Sequence, residues 1–102
     1  MKTAFRKDPD AVLDYRFVWS DWLDDDTISD HTITPTSGIT VDSSEVNSEA
    51  VTIDGTERAA NTVVTVWLSG GTAGSDYDVT CQIETADGRT DDRTITILVR
   101  ER

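Results

Sequence analysis

Aspartates are the densest chemistry in this chain. Asp21, Asp24, Asp25, Asp26 and Asp30 lie within one short stretch. Several carboxylates on a loop are what a calcium ion requires, provided the backbone can turn around it. The D-x-D-x-D-G spacing is absent, and no glycine lies among these residues. The stretch therefore reads as a solvated acidic loop, with a cation site as the alternative. His31 is the only histidine. With no cysteine, second histidine or carboxylates at ligand spacing, it reads as a surface or turn residue rather than a metal ligand. Cys81 is the only cysteine, so an internal disulfide is excluded. It falls on the apolar set of an alternating run, where a thiol behaves as a small hydrophobe. No neighbouring base in sequence would depress its pKa.

Catalysis finds little support. A nucleophile needs a base beside it, and His31 stands alone with no G-x-S-x-G in the chain. Paired carboxylates need a cleft between them, whereas Asp24 to Asp26 share one loop. Gly70-Gly71-Thr72-Ala73-Gly74 lacks the lysine of a phosphate loop and reads as a hairpin turn between two strands. The expectation is a non-enzymatic protein without metal or cofactor.

Binding is the remaining chemistry. The 102 residues carry 20 acidic and 9 basic side chains, a formal charge of −11. Such a surface repels phosphate backbones and anionic lipid, so neither nucleic acid nor a membrane is an expected partner. The charge itself reads as solubility and self-repulsion, with a partner of basic surface as the sharper alternative. Lys2, Arg6 and Lys7 form a local basic cluster around Phe5, ahead of the structure-breaking Asp8-Pro9-Asp10. Residues 1–10 read as an N-terminal arm, either frayed or docked on a neighbouring subunit. No apolar run follows Lys7 as in a signal peptide, and none approaches the ~18 residues of a membrane helix. Synthesis in a reducing cytoplasm is expected.

The elements that must carry these residues are β-strands. Tyr77, Val79, Cys81 and Ile83 alternate with Asp78, Thr80, Gln82 and Glu84, the period of a half-buried strand. Asp87-Gly88 then marks a turn into Ile95, Ile97 and Val99. Leu13, Tyr15, Phe17 and Trp19 form an apolar face in a first strand over residues 12–19, and Trp22 follows at its end. Ile28 to Ile33 is a short strand that Pro35 confines to an edge or ends. Ile39 to Val41 is another, followed by a polar connection over residues 42–49. Val51 to Ile53 is a third, before a turn over residues 54–58. Val63, Thr65 and Trp67 share one face of the next strand, while Val64, Val66 and Leu68 share the other. Apolar residues on both faces predict a central strand, or one whose outer side is covered by another subunit. About seven short strands with no convincing helix predict a single antiparallel β-sandwich over residues 11–102.

Two resemblances extend this reading. The stretch from Gly71 to Val79, with the later Asp87-Gly88, resembles the end of immunoglobulin-like and fibronectin-III-like domains. The resemblance implies that the Tyr77 hydroxyl bonds back to the corner before it. Lys7 to Tyr15, Trp19 to Leu23, Asp26-Thr27-Ile28, Val66 to Gly74 and Gly88 to Arg93 resemble small Ig-like virion structural proteins of tailed bacteriophages. That family implies a capsid cement or decoration protein bound to the major capsid protein lattice, possible also as a homo-oligomer. A neck or tail accessory protein is the alternative, bound to other virion subunits. A carbohydrate- or host-binding Ig-like module is a further one. On the virion reading the expected location is the particle, and Lys2, Phe5, Arg6, Lys7 and Trp22 are the candidate partner-binding residues.

Overall fold

A computed structural model describes residues 3–100. The described elements are β1 (Thr3–Lys7), β2 (Leu13–Val18), the one-turn helix α1 (Ser20–Leu23), β3 (Ile28–Pro35), β4 (Ile39–Val46), β5 (Val51–Ile53), β6 (Thr56–Arg58), β7 (Val63–Gly70), β8 (Asp76–Thr85) and β9 (Thr90–Val99). They form a four-stranded sheet in the order β1-β9-β8-β3, a three-stranded sheet β2-β7-β4 and a small ribbon β5-β6. The two larger sheets have the strand order of an immunoglobulin-like sandwich. The first strand has crossed to the larger sheet.

The core lies between the sheets and follows the alternation. Tyr15 and Phe17 on β2 and Val64, Val66 and Leu68 on β7 face Val79, Cys81 and Ile83 on β8 and Ile95, Ile97 and Val99 on β9. Trp19, just past β2, is wholly buried and closes one end together with Leu23 and Ile28. Burying each of these side chains stabilises the fold by about 1.5–3 kcal/mol, and this is why one register is selected. A slip of one residue would turn Val64, Val66 and Leu68 outward.

Four differences from the sequence reading have physical causes. Residues 3–7 are a strand rather than a free arm: β1 pairs in parallel with β9, Phe5 beside Ile97 and Lys7 beside Val99. The sandwich is thus not wholly antiparallel. The glycine-rich stretch after β7 is no hairpin, because β7 and β8 belong to different sheets. It is a corner. Thr72 N–H donates to the Tyr77 hydroxyl at 2.9 Å, and Gly74 N–H donates to Val99 O at 2.8 Å. Third, β4 continues through the polar residues to Val46, because the pairing with β7 resumes after an irregularity between Val41 and Ser43. Finally, Thr56–Arg58 fold back on β5 through a two-residue turn. Asp54 and Gly55 both have positive φ (51° and 80°), the conformation that matches strand twist in a tight hairpin. Among the described residues, nine strands and one helical turn therefore stand where about seven strands were expected.

Candidate functional site

The residues singled out in the sequence separate on folding. Lys2 lies outside the described residues. Phe5 is half-buried, its ring 5.1 Å from that of Tyr15. Arg6 is exposed on the outer side of β1. Lys7 is only 1% exposed. Its ammonium donates to Asp8 O and to Gly70 O, both at 2.9 Å, and so ties β1 to the corner after β7. Burial lowers its pKa against the pull of Asp8, Asp10 and Asp42. Trp22 on α1 is half-buried, edge-on to Trp19 at 5.5 Å, with the Arg89 guanidinium 4.3 Å from its ring. Phe5 sits beside Ile97, whereas Trp22 sits beneath Arg89 at the other end of β9. The two groups are roughly 25 Å apart along the strand, and the fold makes no common surface of them.

The acidic stretch is also divided. Asp26 is buried and accepts Thr27 N–H at 2.8 Å, Asp87 N–H at 3.2 Å and the Arg89 guanidinium at 3.1 Å. Burial pushes its pKa up, but hydrogen bonds from Thr85, Thr27, Arg89 and Asp87 outweigh this and lower it below the usual carboxylate value. Asp24 and Asp25 point to solvent. No group of three or more metal-ligating side chains occurs among the described residues. The His31 ring nitrogen Nε2 lies 3.0 Å from Ser44 Oγ, across the sandwich edge. Cys81 is fully buried, and desolvation pushes its thiol up to about 11; the Trp19 indole and the Arg93 charge offset this only in part. A neutral, inaccessible thiol is a packing group, not a nucleophile.

A surface with room for a partner lies on the outer side of β2-β7-β4. The register sets Asp14, Trp67 and Ser43 in one row and Arg16, Thr65 and Glu45 in the next. Because Val66 and Leu68 point into the core, Trp67 must point out, and it is 40% exposed on the central strand. Trp67 shares the lining of an open groove of about 410 Å³ with Asp14, Arg16, Glu45, Glu49 and Val51. Asn47 fixes its end. Its amide donates to Glu49 O and Ala59 O, and its carbonyl accepts Thr62 N–H and Val63 N–H, all between 2.8 and 3.0 Å. The sequence signal for this face was the doubly apolar run at Val63 to Leu68. No sequence signal placed the acidic residues of β2 and β4 around Trp67, since only strand pairing does so.

Residues 7–98 match the family described as podophage GP4 fiber-tail adaptor protein gp77. The chain belongs to that family. The match runs from the last residue of β1 nearly to the end of β9, and so takes in both sheets and the Trp67 face. No curated protein matches the chain. Membership makes this a bacteriophage virion structural protein. It supports the tail position kept as an alternative in the sequence reading better than it supports decoration of the capsid.

Proposed function

We propose that this chain is a non-enzymatic adaptor of the podophage tail, which joins a fibre to the tail body through protein–protein contacts. The observation that carries this reading is the family match over residues 7–98. The fold supports it in physical terms. A small sandwich with a close-packed core is a stiff spacer, and its two sheets present outer faces pointing in opposite directions. The threonine-rich outer face of β8 and β9 is cross-linked by Thr80–Thr94 and Thr96–Asp78 hydrogen bonds. The other carries Trp67 and its groove. One body with two unlike faces suits a joint between two partners. The chain would be made in the host cytoplasm and end in the virion.

The test is assembly without the chain. Particles made in its absence should have filled heads and tails but no attached fibres, and adding the purified chain should restore fibre attachment. Quantitative mass spectrometry of complete particles should give a copy number near that of the fibres. Abundance near that of the major capsid protein, with fibres unaffected by the deletion, would overturn the adaptor reading in favour of capsid decoration.

A further inference from the structure

We infer that the Trp67 groove docks a cationic segment of a partner protein, with an arginine or lysine laid on the Trp67 ring. The inference deepens the adaptor reading and rests on it only for which virion protein supplies the segment.

The chain has three tryptophans, and the other two show the chemistry. The Arg89 guanidinium lies 4.3 Å from the centroid of Trp22, and that of Arg93 lies 4.2 Å from the centroid of Trp19. Trp67 has no such cap among the described residues, although it is the most exposed of the three. An aromatic face attracts a cation through its quadrupole, and more strongly as the site dries. The surroundings supply the rest. Asp14, Glu45 and Glu49 border the groove against the single cation Arg16, so the rim favours a positive visitor. Val51, half-buried in the lining, suits the aliphatic stem of a lysine or arginine, which buries its methylenes while its head reaches a carboxylate. Trp67 also lies on the central strand of its sheet. It is flanked by strands on both sides, so what the face offers is a side-chain surface and not an edge for strand addition.

The groove beside β1 makes a useful contrast. It measures about 220 Å³ and is lined by Phe5, Arg16 and Arg93. There the Arg93 cation is already stacked on Trp19 and hydrogen-bonded to Val18 O, so that site is filled from within.

Two measurements test the inference. The first titrates the intact chain with tetra-arginine and follows the tryptophan indole N–H resonances. The Trp67 signal should shift and saturate while those of Trp19 and Trp22 stay in place, and E45K/E49K should abolish the shift. The second measures binding of the chain to purified fibres and to fibreless tails. In one of these two arms W67A and E45K/E49K should each weaken binding by about tenfold or more, with wild-type binding falling as salt rises. The other arm should not change. A Trp67 signal indifferent to the peptide, or W67A and E45K/E49K binding like wild type in both arms, would overturn the inference. Wild-type chain that binds neither fibre nor tail, but still shows the saturable Trp67 shift, would sink the adaptor reading and leave the cation groove standing.

Discussion

Cys81 and Asp26 show how two buried residues come to opposite dependences on pH, since desolvation dominates at the thiol and hydrogen bonds outweigh it at the carboxylate. Folding raises the Cys81 thiol from 9.0 to about 11. The unfolded chain therefore releases this proton first as pH rises. The stability the thiol contributes is complete below pH 9 and falls away as pH climbs through about 11. Lys7 and Tyr77, whose pKa values folding lowers, act in the reverse sense over the same range. The informative quantity is thus a difference: in thermal melts at rising alkaline pH, wild type should lose stability relative to C81A. Parallel curves would mean that the thiol is not desolvated as the fold requires. Asp26 behaves as a carboxylate that prefers the folded state. Its contribution is present above 3.8 and disappears as pH falls through its lowered folded value. D26N should be less stable than wild type in urea at neutral pH, and the two should converge in acid. The same residue shows a limit of sequence reading. Within Asp24-Asp25-Asp26 the three side chains look alike. Only the return of Arg89 and Asp87 from the β8–β9 turn selects the third for burial.

At the scale of elements, the strands with strict alternation were legible. Tyr15, Phe17 and Trp19, and Val79, Cys81 and Ile83, point inward as their spacing requires. The tyrosine corner was legible too, through Tyr77 and the glycines before it. What the sequence concealed was pairing between distant segments. Residues 3–7 offer Phe5 as their one large apolar side chain among charged neighbours, and nothing local reveals that β9 lies alongside. Lys7 was grouped with Lys2 and Arg6 in a basic, partner-binding arm because its two acceptors are backbone carbonyls, which no sequence displays. The docking face was half legible: Trp67 came from periodicity, its carboxylates from register. The corner also carries a sharp test. Gly71 has φ +93°, and a Cβ there would stand 2.7 Å from Val99 Cγ2 and 3.3 Å from Tyr77 Cε2. G71A combines backbone strain with a clash in the packed end of the core, and should lower stability by about 1–3 kcal/mol, measured by urea unfolding. A neutral result would show that the corner yields easily.

At the scale of the whole molecule, charge sets the terms. A formal charge of −11 on 102 residues means that the folded chain repels itself, since folding brings like charges together. The few described ion pairs do little to relieve this; Arg58–Asp21 and Arg100–Asp76 are at the surface. Moderate sodium chloride should therefore raise the melting temperature before any specific ion effect enters. A fall over the same range would mean that attractive pairs outweigh the repulsion. The parallel pairing of β1 with β9 has a mechanical consequence. Thr3 lies beside Ile95 and Lys7 beside Val99, so the chain enters this pair at one end and leaves it at the other. Tension applied ahead of Thr3 and beyond Val99 runs along the strands and drags their hydrogen bonds sideways. Every rung strains at once, whereas a hairpin pulled from its open end parts rung by rung. β1 and β9 thus form a shear clamp, and tension applied across the pair would have to break that clamp before the core felt the load.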